Sequence, residues 1–336
     1  MLKNDIYEIL EETMGNSVLE YRNKWEEASN YKKVFDFPLH LNFELISGCN
    51  LKCDYCVYSS IYKKKKTEKI SFDKYCKVID ECVDNNLCSI ELNGINEPFL
   101  QKDIIKHIEY AKKAGILIIS LHTNARLLNK EMIENLINSG ITLIVFSLDA
   151  INKDTYEKIR KGSNYKKVME NINTFLEMKK KLKTQFPLCK VSFVRNKLNY
   201  KEFDQFFKYW ENKIDYISSS SFCNPFVGEK KYKQIENKYR FERFIFTSCS
   251  EPYQRLFISS NGEVYPCCSF FGKEIEVGNI YENSISDIWN GKKMQNIRQL
   301  VNSENSLSAC KKCIISMTGD SKIICDSFIK NGEETI

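Results

Sequence analysis

Residues 39–56 read Leu-His-Leu-Asn-Phe-Glu-Leu-Ile-Ser-Gly-Cys-Asn-Leu-Lys-Cys-Asp-Tyr-Cys, and this stretch decides the fold. Leu39, Leu41, Phe43 and Leu45 alternate with other residues, the period of a strand, which ends at Ser47–Gly48. Cys49, Cys53 and Cys56 follow at once, at spacings of four and three. On a loop, thiolates so spaced can converge on one metal cluster, whereas a strand would send them to opposite faces. Three protein ligands on a four-iron cube leave one iron open to chelate a small molecule. A structural zinc site takes four ligands, and a simple ferredoxin fills every position with cysteine. The next cysteine, Cys76, falls on the apolar face of a helix.

Working outward, Ser71 caps that helix, whose buried face carries Phe72, Tyr75, Val78, Ile79 and Cys82. Further strands are predicted near 89–93, 116–122, 141–148, 189–194 and 215–220. Helices are predicted near 102–114, 129–139, 164–182 and 200–212, with Gly115 and Gly140 as stops. Six strands alternating with helices predict a parallel α/β core over residues 39–225. Before it, residues 1–38 read as a helical arm, with Ile6, Ile9, Leu10, Val18 and Trp25 at helical spacing. After it, the pattern breaks into a Lys/Tyr-rich connector, 226–248, and a cysteine-rich region, 249–336.

The composition narrows the function classes. A chain of 336 residues, 43% hydrophobic, can build one large core plus a smaller unit. The N-terminus MLKNDIYEIL has early charges and no apolar h-region, so it is not a signal peptide. No apolar run reaches the roughly 18 residues of a membrane span, and a cytoplasmic protein without membrane association is expected. Net charge is +6, but the signs interleave; the one dense basic run, Lys63 to Lys66, reads as a solvated loop rather than a nucleic-acid site. Fourteen cysteines in a reducing compartment point to metal ligation rather than disulfides.

The Cys-x3-Cys-x2-Cys motif at the end of the first strand resembles the radical S-adenosylmethionine (SAM) superfamily. The resemblance continues in order along the chain. Asn93-Gly94-Ile95-Asn96-Glu97-Pro98 is similar to the glycine-glutamate loop that holds the SAM amino group. Thr123-Asn124-Ala125 is similar to a frequent Thr-Asn-Gly, and Ser147-Leu148-Asp149 to the ribose-contacting segment. Arg160 lies in an Ile-Arg-Lys-Gly, and Asn199 and Glu202 keep an Asn-x-x-Glu spacing. The resemblance implies a partial (β/α)6 barrel and a 4Fe–4S cluster on Cys49, Cys53 and Cys56. It also implies SAM contacts from Asn96, Glu97, Asn124, Ser147, Asp149 and Arg160. Asn96 and Ala125 stand where the family commonly has glycine, so Asn96 is expected to take a conformation that glycine enters more easily.

The C-terminal cysteines resemble a SPASM extension in its shorter twitch form. Cys249, then Gly262-x4-Cys267, then Cys310-x2-Cys313 imply one auxiliary 4Fe–4S cluster, with Cys268 as the alternate to Cys267. Four such cysteines would also suit a zinc ribbon. Cys325 has no assigned role. Cys76, Cys82, Cys88 and Cys189 read as packing. Cys223, after the sixth strand, is a candidate hydrogen donor. His40, His107 and His122 lack ligand spacing, and only His122 is placed to line a site.

The implied chemistry is reductive cleavage of SAM to a 5′-deoxyadenosyl radical and hydrogen abstraction from a substrate, with an electron donor such as flavodoxin or ferredoxin. The arm of about 38 residues is short for a separate leader-peptide domain. The expected substrate is therefore a sugar-like or aminocyclitol molecule, oxidised (a dehydrogenase) or epimerised. The alternatives are a ribosomal peptide or protein substrate and, remotely, a non-enzymatic iron-sulfur or zinc protein.

Overall fold

A computed structural model describes residues 6–31, 33–58, 67–224 and 248–318. The lysine run, Cys325 and all but the last residue of the connector lie outside them.

Six parallel strands form in the predicted places: β1 (His40–Phe43), β2 (Ser89–Glu91), β3 (Ile118–Thr123), β4 (Leu143–Ser147), β5 (Leu188–Arg195) and β6 (Tyr216–Ser221). The arm is two helices, α1 (Ile6–Met14) and α2 (Asn16–Ser29). The crossovers carry α3 (Phe72–Asp84), α4 (Ile104–Ala114), α5 (Lys130–Asn138), α6 (Lys153–Ile159), α7 (Tyr165–Lys181) and α8 (Phe203–Trp210). Of these, α6 is not anticipated by periodicity; its seven residues are too few to show a helical stripe.

Strand alternation sorts the two faces. Leu41, Phe43, Ile90, Ile119, Leu121, Ile144 and Phe146 join the core under the helices. On the other face, His40 bonds Ser89 at 2.9 Å and Asn42 bonds Glu91 at 3.2 Å, so polar side chains pair there. Helices α1 and α2 pack Ile6, Leu10, Val18 and Tyr21 against Leu39, Ile118 and Leu188 and close the base of the sheet.

The C-terminal region is continuous with this sheet. β7 (Arg255–Ile258) pairs parallel to β1, and β8 (Glu263–Tyr265) and β9 (Gly278–Asn279) extend it antiparallel. The strand order is β6-β5-β4-β3-β2-β1-β7-β8-β9, an open sheet with β6 and β9 at its edges. A short helix α9 (Glu251–Gln254) precedes β7, and α10 (Ile285–Asn290), α11 (Lys292–Leu300) and α12 (Ser308–Thr318) follow β9. Glu81 of α3 accepts bonds from Ile285 N and Ser286 N at 3.0 and 2.9 Å, capping α10 from the core domain.

Candidate functional site

The motifs at residues 49–56, 93–98, 123–125 and 147–149 lie at or just beyond the carboxyl ends of β1 to β4, the rim where α/β sites assemble. The loop after β1 is fastened to the one after α6: Lys52 N donates to Lys161 O at 2.8 Å and Asp54 N to Ile159 O at 3.1 Å. Lys161 Nζ adds an ion pair to Asp54 Oδ1 at 2.7 Å.

Beneath this loop lies a buried anchor. Arg160 Nη2 pairs with Asp149 Oδ2 at 2.6 Å. Asp149 Oδ1 accepts from Val194 N at 2.7 Å, and the Tyr55 hydroxyl donates to Oδ2. Asn199 Nδ2 donates to Asp149 O at 2.7 Å, and Glu202 Oε2 accepts from Ile151 N and Asn152 N, each at 3.0 Å. Tyr55, between Cys53 and Cys56, is thereby tied to the ends of β4 and β5. Nothing in the sequence marks that tyrosine apart from its neighbours.

Glu97 is also turned inward. Its carboxylate accepts from Thr123 Oγ1 at 2.7 Å and Asn124 N at 2.9 Å, and its own N–H donates to Gly48 O at 2.8 Å. Burial pushes its carboxyl up to about 7. Asn96 bridges Ile46 O and Gly94 N at 2.9 and 2.8 Å. It takes no left-handed conformation; Ala125, at φ 59°, does. The strain expected at Asn96 therefore falls on Ala125, whose N–H is met by Thr123 Oγ1 at 3.0 Å. Asn124 Nδ2 donates to Asn50 Oδ1 at 2.8 Å, and Ser147 is half-buried at the end of β4.

Asp149, Glu97 and Asn96, expected as SAM contacts, each bond protein partners here, and a carboxylate such as that of Glu97 keeps acceptor capacity for a further donor. Two other groups lack such partners. The buried Arg160 Nε and Asn50 Nδ2 have no hydrogen-bond partner among the described residues. Such orphaned donors fit an anionic ligand at this place.

The first cysteine set is electrostatically coupled. Burial raises the Cys49 thiol to about 11 and Cys53 to about 12; Arg160 opposes the rise at Cys53, and both thiols feel Cys56. Buried thiols of this kind become thiolates only with a compensating cation, which iron supplies.

The second set gathers around Cys249. Asn302 clamps it, accepting from Cys249 N at 2.7 Å and donating to Cys249 O at 3.2 Å. Cys310 and Cys313 lie on one face of α12, and Ser269 Oγ meets Cys313 Sγ at 3.2 Å. Burial raises Cys249 to about 12 and Cys310 to about 11, and Cys249 feels both Cys310 and Cys313. Cys267 faces the same space, since its thiol feels Cys249. Cys268 lines the same cavity, its Sγ 3.6 Å from Glu251 Oε2 and its thiol influenced by Glu251, Arg255 and Glu91 rather than by Cys249. Among the described residues, no three His, Cys, Asp or Glu side chains stand close enough to share one metal ion. A cube, which gives a separate iron to each thiolate, needs no such convergence.

Cys223 is exposed at the end of β6, its Sγ 3.7 Å from Ser221 O. His122 Nε2 lies 3.6 Å from Glu91 Oε2. Cys82 and Cys189 are buried, Cys82 in the core under the helices; Cys76 and Cys88 are half-buried and packed against apolar clusters. None of these four joins either cysteine set.

Residues 43–209 match the radical SAM superfamily, and residues 249–314 match the SPASM iron-sulfur cluster-binding domain. The chain belongs to the radical SAM superfamily. It carries a SPASM domain at its C-terminal side. This radical SAM chain is 25% identical over 317 residues to the antilisterial bacteriocin subtilosin biosynthesis protein AlbA of Bacillus subtilis, covering 86% of this chain and 68% of AlbA. Its fold is similar to that of Streptococcus suis SuiB, solved bound to its precursor peptide SuiA, with a TM-score of 0.67, 19% identity and coverage of 89% and 75%. BtrN, solved with AdoMet and 2-DOIA, is similar at a TM-score of 0.50 and 17% identity, covering 84% of this chain and 87% of BtrN. Among the described residues, no helix is long and apolar enough to cross a membrane.

Proposed function

We propose that this chain is a radical SAM enzyme that modifies a peptide. The similarity to AlbA carries this reading, because it runs through 86% of the chain and so takes in both the core and the SPASM domain. The sugar-like substrate preferred from the sequence rested on the shortness of residues 1–38. Helices α1 and α2 pack under the base of the sheet as part of its apolar layer, so their length does not decide the substrate class.

In this reading Cys49, Cys53 and Cys56 hold a 4Fe–4S cluster and Cys249, Cys267, Cys310 and Cys313 hold a second. Loaded with both and with SAM, the site supplies reductive cleavage of SAM, abstraction of a substrate hydrogen and an acceptor for an electron. The chain's own part is positional. Arg160 and Asn50 offer donors to the SAM carboxylate, with Ser147 at the same rim. Glu97, Asn96 and Asp149 hold the loops that shape the pocket. Cys223 is placed for hydrogen return if the outcome is epimerisation rather than oxidation.

Anaerobic incubation with SAM, dithionite and the short peptides encoded beside the gene tests the reading. It expects 5′-deoxyadenosine together with a mass change in a peptide. A mass change confined to an aminocyclitol would sink the peptide reading and restore the small-molecule one. Absence of 5′-deoxyadenosine under every condition would sink both.

A further inference from the structure

A cavity of about 580 Å³ runs between the two cysteine sets, from Tyr55 and Cys56 at one end to Cys249, Cys267, Cys310 and Cys313 at the other. Among the described residues its walls between those ends are mostly apolar, with Ser220, Ser221, Ser269 and Ser316 as small polar exceptions. Val57, Val194 and Phe222 come from the core rim, and Phe270, Phe271 and Ile275 from the SPASM domain. Glu251 is the one charged side chain lining the cavity among the described residues, and it is committed to Arg255 Nε at 3.0 Å. The other polar lining groups are mainly serine hydroxyls and thiols, small and without charge.

This lining discriminates between substrate chemistries. A polyhydroxylated ring carries several hydroxyls, and each one buried here without a partner loses its bonds to water. A hydrocarbon side chain loses nothing by entering and releases water from Phe222, Phe271 and Ile275. The volume is within the roughly 300–1,000 Å³ of ordinary ligand sites, and the far end is shared with the second cysteine set. The room beside Cys56 therefore suits one large side chain rather than a whole folded partner.

We infer that this cavity selects the residue to be modified, taking a large aliphatic or aromatic side chain of an extended peptide and presenting its C–H bonds between the two cysteine sets. The inference rests on the peptide reading above and adds the class of residue attacked.

The test uses anaerobic holoenzyme with two probes, acetyl-Gly-Leu-Gly-amide and acetyl-Gly-Ser-Gly-amide, each made unlabelled for the NMR measurement and deuterated throughout its central residue for the transfer assay. With oxidised holoenzyme and SAM, saturation-transfer NMR should show the leucine methyl groups in contact with protein and at least about fivefold less transfer to the serine probe. After reduction, deuterium should pass into 5′-deoxyadenosine from the leucine probe at least about tenfold more than from the serine probe. Ile275→Asp should remove both preferences while leaving intact the change that SAM causes in the electron paramagnetic resonance spectrum of the reduced protein. That spectrum reports a folded, SAM-binding chain, and Phe270→Asp is the second variant should Ile275→Asp lose it. Equal contact and transfer from the two probes, no contact from either, or a leucine preference that survives both substitutions would overturn the inference. None of these results bears on whether a neighbouring peptide is modified, so the two readings fail separately.

Discussion

Asp149 Oδ2 and Arg160 Nη2 stand 2.6 Å apart, with side chains 0% and 8% exposed, directly beneath the loop that carries the first three cysteines. Asp149 also receives Val194 N and the Tyr55 hydroxyl, so one carboxylate joins β5, the loop after α6 and the cysteine loop. Removing one partner of a buried pair leaves a charge without compensation, which costs about 3–5 kcal/mol. Asp149→Asn and Arg160→Met should each lose about that much in denaturant unfolding of the apo chain. The double variant should lose less than the sum, because it leaves no unpaired charge. Iron retention at the first set should fall in Asp149→Asn, since Tyr55 is released between two of its ligands. An Asp149→Asn chain as stable as wild type would remove the anchor from this account.

The adjacent pair Cys267 and Cys268 makes a second prediction. Both thiols feel Glu251, but Cys267 also feels Cys249, whereas Cys268 feels Arg255 and has its Sγ 3.6 Å from Glu251 Oε2. After anaerobic reconstitution, Cys267→Ser should bind roughly half the iron of wild type, the content of one of the two proposed four-iron cubes. Cys268→Ser should keep all of it. Iron and sulfide analysis per chain decides the matter, and the reversed pattern would exchange the two assignments.

How far the sequence could be read follows from what each feature depends on. Strand and helix positions in the core were legible because the alternation of Leu41, Phe43 and Leu45, the cap Ser71 and the stop Gly115 are local signals. The cysteine spacing was legible for the same reason. The parallel pairing of β7 with β1 was not, since a four-residue strand has little periodicity and its partner is more than 200 residues away. Nor was the inward turn of Glu97 and Asp149. A carboxylate in a rim motif looks the same in sequence whether it faces a ligand or Thr123, and only the geometry shows its oxygens already engaged.

Gly94 carries a third prediction. A Cβ there would stand 2.4 Å from Glu44 Oε2 and 2.6 Å from Phe257 Cζ. Glu44 cannot easily yield, because it accepts from Ile95 N at 2.9 Å and pairs with Lys273 Nζ at 3.2 Å. Overpacking of this kind costs about 1–3 kcal/mol. Gly94→Ala should therefore lower unfolding stability by that amount and weaken SAM binding, because the loop to Glu97 must shift. Glu44→Gln in the same background keeps the clash and should not rescue it, whereas Phe257→Leu should recover part. No loss in Gly94→Ala would show that the loop has slack.

The last prediction concerns acid. His40 is buried at the base of the sheet, its Nδ1 2.9 Å from Ser89 Oγ, while its Nε2 has no partner among the described residues. The Trp25 ring meets it edge-on at 6.4 Å. Burial, helped by the Arg255 guanidinium, holds its pKa well below the ordinary value. In the unfolded chain the same imidazole titrates near 6.5. Below that pH the unfolded state binds a proton that the folded state refuses, so stability falls as pH drops, by up to about 1.4 kcal/mol for each pH unit. Glu97, raised to about 7, works with the opposite sign: its contribution is present at low pH and lost as pH rises through 7. The wild-type slope therefore mixes the two, and His107, also lowered by burial, adds to the histidine side. The difference between wild type and His40→Phe isolates the one group. Whatever that substitution costs at pH 7.5, where both forms of His40 are neutral, the gap should shift in favour of the variant by roughly 1.4 kcal/mol at pH 5.5. Urea unfolding of the apo chain at the two pH values measures it. A gap that is the same at both would mean that His40 takes up its proton in place, with Arg255 moving aside.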